Sequence, residues 1–172
     1  TLTQLINLRI IYEPFNSSRT IYVFDTFEGF TNIHTKDGEL PKENDFYTLN
    51  NYEKILEDIL KTIESFPPLS HQKKFELIKG DATHTIDTWL ERNPHAIISM
   101  AIFDMDLYTP TKEVLKKILP RLIKGSVLVF DELNCKHFPG ETIAVAEQLG
   151  LNNLRLRKNQ FQPFGAWAIY GE

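Results

Sequence analysis

Two short acidic stretches hold the side chains best suited to chemistry. "FDMDLYTPT" (103–111) closes one apolar run, and "VFDELN" (129–134) closes the next. Asp104, Asp106, Asp131 and Glu132 therefore gather where two hydrophobic segments stop. Two carboxylates about 4 Å apart repel by roughly 4 kcal/mol at an effective dielectric of about 20. Asp104, Asp131 and Glu132 meet that repulsion more than once if their segments are neighbours, so either one of them is protonated or a cation lies between them. Oxygen donors without His or Cys favour Mg2+, with Mn2+ or Ca2+ as looser fits. Asp106 stands two residues beyond the end of its run, next to a helix start, and is read as a cap rather than a ligand.

The elements that must position these acids follow from apolar periodicity. "TLTQLINLRIIYEPF" has Leu2, Leu5 and Ile6 at helical spacing, and Pro14 stops it. "RTIYVFD" (19–25), "KFELIKGD" (74–81), "AIISMAIFD" (96–104) and "SVLVFDE" (126–132) read as strands. The third has no polar alternation, which predicts cover on both faces. Helices are predicted over 51–66, 85–93 and 140–150, and another begins at Thr109, the predicted cap, with Pro110 at its first position. In the 51–66 helix Tyr52, Ile55, Leu56, Ile59, Leu60 and Ile63 form one stripe, with Glu57 and Lys61 paired outside. "NLRLRKN" and "GAWAIYGE" predict a terminal antiparallel pair. Apolar strands alternating with helices define an α/β fold around a mostly parallel sheet, in one domain spanning residues 1–172.

In such a sheet ligands bind at the carboxyl ends of the strands. Asp25, Asp81, Asp104 and Asp131 each end a strand and so reach one rim. Any one of them could be only a helix cap. Asp25, with Thr26 and Phe27 after it, suits ribose hydroxyls, and Asp81, followed by Ala82, suits an adenine amino group.

Composition narrows the partners. The net charge is −4, and no Lys/Arg cluster is interleaved with aromatics, so nucleic acid is not expected. A single cysteine, Cys135, leaves no internal disulfide and suits a reducing cytoplasm. The longest apolar run, "AIISMAIF" (96–103), is too short to span a bilayer, and no signal peptide is visible. A homo-oligomer is left open.

"IYVFDTFEGF", "IKGDA", "FDMDLYTPTKEVLKKILPRLIKGSVLVFDELN" and "FPGE" together resemble the class I S-adenosylmethionine-dependent methyltransferases of the macrocin O-methyltransferase type. The resemblance covers residues 1 to about 146. It implies a Rossmann-like fold, S-adenosylmethionine as cofactor, Mg2+ held by Asp104, Asp131 and Glu132, and a sugar or natural-product hydroxyl as methyl acceptor. The second acid of the pair is usually Asp in that family, so Glu132 is a departure. The layout is also similar to catechol O-methyltransferase. The family carries a further strand and a glycine-rich turn between the strands ending in Asp25 and Asp104; this sequence lacks both, and the chain is expected to be N-terminally incomplete.

Transfer to a hydroxyl needs a base. Asp104 is one candidate and His137, in the loop "NCKHFPGE", is the other, unless it is only an exposed loop residue. Tyr108 either lines the acceptor pocket or packs under its helix. The 28–47 segment is expected to form a lid and, with the 135–141 loop, to set specificity. Two other readings compete. "AIFDMDLYT" resembles the motif of haloacid-dehalogenase-type phosphatases, but Leu107–Tyr108 replaces their Gly-Thr. The fold could also be kept without catalysis, although no structural need calls for three carboxylates at one rim.

Overall fold

The structure, a computed structural model, describes residues 2–172. Its elements run α1 (Leu2–Tyr12), β1 (Ile21–Asp25), α2 (Tyr52–Glu64), β2 (Phe75–Lys79), α3 (Ala82–Arg92), β3 (Ile98–Phe103), α4 (Tyr108–Ile118), β4 (Leu122–Phe130), α5 (Pro139–Leu149), β5 (Arg157–Lys158) and β6 (Ala166–Ile169). This is the α/β order read from the sequence; only Thr1 of the first predicted helix lies outside the described residues.

The strands form two groups. β1 pairs with β2 in parallel, and a four-stranded group runs β3-β4-β6-β5. β3 and β4 are parallel, while β6 is antiparallel to both β4 and β5, so the terminal antiparallel pair forms as predicted. The sheet divides between β1 and β3. Each has an unpaired edge there among the described residues, at the place where the sequence reading expects a further strand.

One core forms between the four-stranded group and α3, α4 and α5. Ile86 and Trp89 of α3, Leu115 and Ile118 of α4, Leu128 and Phe130 of β4 and Val145 of α5 are all buried in it. Trp89 also meets the other strand group: its ring lies 4.9 Å from Tyr22 and 6.2 Å from Phe24 of β1, edge to face. It is the clasp across the division. A second cluster joins Ile6 of α1, Leu60 of α2 and Phe75 of β2.

Two expectations fail here. β3 is not covered on both faces: Met100 and Ile102 are 48% and 45% exposed, because nothing described packs on that side. The predicted α2 stripe is likewise only half used. Leu60 is buried, but Tyr52, Ile55 and Ile59 are exposed, since α2 turns its Leu60 side to Ile6 of α1 and Phe75 of β2. The Glu57–Lys61 pair does form on the outer face, at 3.0 Å.

This difference in burial is measurable. Leu128→Ala, in the closed core, is expected to cost about 2–5 kcal/mol in urea unfolding. Ile102→Ala is expected to cost under about 1 kcal/mol, in line with its exposure. Equal losses would show that the β3 face is covered in solution.

Candidate functional site

The parallel register of β3 on β4 sets Phe103 opposite Phe130, one residue before Asp104 and Asp131. The two rings stack at 5.3 Å beneath the acids, and the Asp131 N–H donates to the Phe103 carbonyl at 3.1 Å. The carboxylates therefore leave adjacent strand ends at one level, with Asp131 within hydrogen-bond reach of Asp104. Asp104 stands open at the rim, yet partial desolvation and then the Asp131 charge raise its pKa.

The expected trio is not assembled. Among the described residues no three His, Cys, Asp or Glu side chains converge as a metal site. Glu132 lies beside the Cys135 thiol and Asp106 instead, with one buried oxygen, Oε2, lacking any partner. Burial and then Glu132 raise the pKa of that thiol. The donor chemistry still suits a hard cation: Asp104 and Asp131 are paired, and Glu132 keeps a free oxygen in reserve.

Asp106 does not cap α4. It sits at φ +57° in a tight turn closed by the Leu107 N–H to the Met105 carbonyl, a backbone region sparsely used by residues other than glycine. Burial, then the charges of Glu132, Asp104 and Asp131, push its pKa up to about 7. Nor does Thr109 cap the helix, which starts two residues earlier than expected, at Tyr108, with Leu107 at the cap position and no local side-chain bond. The Tyr108 N–H is taken at 2.6 Å by the Oδ1 atom of Asp37, 71 residues away.

A second remote acid supports the other loop. Glu141, in the first turn of α5, is fully buried, and its Oε1 accepts the Glu132 N–H at 3.0 Å. Desolvation, first among the causes, pushes its pKa up to about 8. Neither Asp37 nor Glu141 was singled out from the sequence. Glu141 closes the quoted "FPGE", whereas Asp37 lies in a polar stretch with no periodic signal.

The acids expected to hold a cofactor are partly committed. The Oδ1 atom of Asp25 accepts the Phe27 N–H at 2.7 Å. Asp81 caps α3, its Oδ1 accepting the Thr83 N–H at 2.8 Å and the Thr83 hydroxyl at 2.7 Å. Each retains its Oδ2. Thr26 Oγ1 donates to the Gly29 carbonyl at 3.2 Å and accepts the Glu28 N–H at 3.1 Å, Phe27 is buried at φ +58°, and Ala82 opens α3. A cavity of about 400 Å³ beside α2 is lined by Phe27, Tyr47, Leu49, Tyr52 and Lys79; it contains none of the rim acids.

The 28–47 segment is built rather than loose. Phe30 and Asp45 share a backbone bond of 3.0 Å, and a Cβ at Gly29 (φ +76°) would lie 2.4 Å from the Asp45 carbonyl. Phe30 packs against Phe46 at 5.2 Å and Phe138 at 6.3 Å, so this segment and the 135–141 loop share one aromatic wall. Tyr108 is buried under its helix. Its hydroxyl donates to Glu147 at 2.7 Å and accepts from Lys112 at 2.6 Å and Lys36 at 3.0 Å. His137 is exposed in its loop.

This arrangement of β-strand ends and helices defines a class I methyltransferase fold, shared with the O-methyltransferase NovP (17% identity, TM-score 0.62, covering 97% of this chain and 66% of that one). Residues 9–151 match the model of the macrocin O-methyltransferase (TylF) family, and the chain belongs to that family. It is similar to the calicheamicin methyltransferase CalS11 at 37% identity and a TM-score of 0.95, covering 99% of this chain and 68% of that one. The apo structure of CalS11, described as a TDP-rhamnose 3'-O-methyltransferase, matches at 35% identity and a TM-score of 0.84, over 99% of this chain and 66% of that one. The chain thus spans about two thirds of these relatives. No curated protein matches it. The phosphatase reading falls with this assignment, and Leu107 and Tyr108 are buried where that motif needs an open glycine turn. Among the described residues no helix is long and apolar enough to cross a membrane.

The polar cluster at Tyr108 has a pH signature. Hydrogen bonds from Lys36, then Lys112 and Tyr108, lower the Glu147 pKa from the model-peptide value of 4.5 to about 2. A carboxylate lowered on folding adds stability above its unfolded pKa and loses it as pH falls toward the folded one. The melting temperature of the wild type should therefore exceed that of Glu147→Gln at pH 6, and the gap should close between pH 4.5 and pH 2. A gap independent of pH would mean that the ion pairs do not stabilise the fold.

Proposed function

We propose that the protein transfers a methyl group from S-adenosylmethionine to a hydroxyl of a sugar or sugar-bearing natural product, with a divalent cation, Mg2+ first, at the rim. The observation that carries the reading is the Asp104–Asp131 pair at adjacent parallel strand ends in a member of a family of O-methyltransferases. That the similar CalS11 is described as acting on TDP-rhamnose supports a nucleotide-sugar acceptor here.

When bound, S-adenosylmethionine would supply an electrophilic methyl, and Asp104 and Asp131 would hold a cation that would lower the pKa of an acceptor hydroxyl. The chain's own residues do the rest. Asp25 and Asp81 offer their free oxygens to the adenosine part, flanked by Thr26, Phe27 and Ala82. The aromatic wall of Phe30, Phe46 and Phe138 excludes water from the acceptor side and orients the sugar. The acceptor proton goes to Asp104 or Asp106, both of which belong to the rim cluster; His137, exposed in its loop, has less to support it. The reading also has a strand between β1 and β3, and what supports it is that both edges are unpaired and that Met100 and Ile102 lie exposed on β3.

The direct test is incubation with S-adenosylmethionine, Mg2+ and a panel of nucleotide sugars, scored by a methyl mass shift. Transfer should stop in EDTA and in Asp131→Asn; turnover that survives both would remove the metal from the reaction. Replacing the base among the rim acids, by Asp104→Asn or Asp106→Asn, should lower kcat at least about a hundredfold and His137→Ala less than threefold, in keeping with the usual size of acid–base contributions; the reverse order would make His137 the base. Asp25→Ala should weaken S-adenosylhomocysteine binding by about 1.5–3 kcal/mol in calorimetry, as for a hydrogen bond to a charged group.

A further inference from the structure

Asp37 is fully buried, and both of its oxygens are used: Oδ2 accepts the His34 N–H at 2.7 Å and Oδ1 accepts the Tyr108 N–H at 2.6 Å. A helix start is ordinarily capped by a Ser, Thr, Asp or Asn of its own loop, at little desolvation cost. α4 instead has Leu107 at that position and receives its acceptor from the 28–47 segment. Burying a carboxylate for this purpose is unfavourable unless its bonds are made and kept, so the connection fixes two distant segments against each other.

The seat is shaped for this carboxylate. A Cβ at Gly140 would lie 2.0 Å from Asp37 Oδ1 and 2.6 Å from the Tyr108 nitrogen. Only a glycine in the first turn of α5 leaves the space. The next residue, Glu141, holds the Glu132 N–H. One helical turn thus touches the supports of both acid loops, 104–107 and 131–135. Around it Lys36 reaches the Tyr108 hydroxyl and Glu147, and the His34 ring lies 4.8 Å from the Tyr108 ring.

We infer that Asp37 is a positioning residue for methyl transfer: it latches the segment that forms the acceptor wall to the turn that carries Asp104 and Asp106, so that wall and rim hold one geometry. The inference rests on the methyltransferase reading above. The bonds of Asp37 go to His34 and Tyr108, and those of the cofactor acids Asp25 and Asp81 to Phe27 and Thr83, so loss of Asp37 should act on turnover and acceptor use and spare cofactor affinity.

The test compares Asp37→Ala, Asp37→Asn and Gly140→Ala with the wild type. Three readouts are needed: amide hydrogen exchange at Tyr108, S-adenosylhomocysteine affinity by calorimetry, and kcat and KM for whichever nucleotide sugar the wild type methylates. Asp37→Ala should speed Tyr108 amide exchange at least tenfold and lower kcat at least tenfold, with S-adenosylhomocysteine affinity changed less than threefold. Asp37→Asn keeps an acceptor for Tyr108 but none for His34, and should recover part of both losses. Gly140→Ala should reproduce Asp37→Ala. If Asp37→Ala does not fold by circular dichroism, the Asn and Gly140 variants carry the comparison. Unchanged Tyr108 exchange, or freed exchange with unchanged kcat, overturns the latch. A wild type that methylates nothing overturns the methyltransferase reading, and the exchange at Tyr108 then still decides whether the latch exists.

Discussion

The site depends on the register of β3 against β4. Because Phe103 stands opposite Phe130, the residues that follow, Asp104 and Asp131, emerge side by side. The stacked rings below them form an apolar floor, and an apolar floor under two carboxylates strengthens their repulsion. A slip of one residue would turn the core-facing side chains outward and separate the acids. The hydrophobic pattern that buries Phe103, Leu128 and Phe130 thereby also sets the electrostatics of the rim.

The remaining acids are arranged around that pair by remote contacts. Asp106 is held in a strained turn, and its loop is braced by Asp37 from one side. The loop of Glu132 is braced by Glu141 from the other. Both braces are buried acids whose side-chain oxygens accept backbone N–H groups. A buried N–H that loses its acceptor is costly, which suits a site whose parts come from separate stretches of chain.

These remote contacts explain what could be read from the sequence and what could not. The strands, the helices and the antiparallel end were legible, since each follows from local periodicity of 2 or 3.6 residues. The pairing of Asp104 with Asp131 was legible for the same reason: each directly follows an apolar strand. Asp106 was misread as a cap because local spacing placed an acid next to a helix start, while the true acceptor for Tyr108 lies 71 residues away. Thr109 was misread on the same grounds. The convergence of Glu132 with the other two acids, expected from its place in the sequence and from the family resemblance, is not seen among the described residues: Glu132 lies in the turn after β4 and faces Cys135. The cover on β3 was inferred from composition, which cannot report which neighbours are present.

Trp89 gives the divided sheet an optical handle. The chain has two tryptophans. Trp89 is buried between the two strand groups, against Tyr22 and Phe24, while Trp167 lies half exposed on β6 beneath the Arg157 guanidinium at 4.9 Å. Trp89, in an apolar setting, should therefore emit at shorter wavelength than Trp167, in a wetter one. Any event that parts β1 from the main core hydrates Trp89 and shifts the blue component alone, so unlabelled protein reports on the junction between its two strand groups through its own fluorescence.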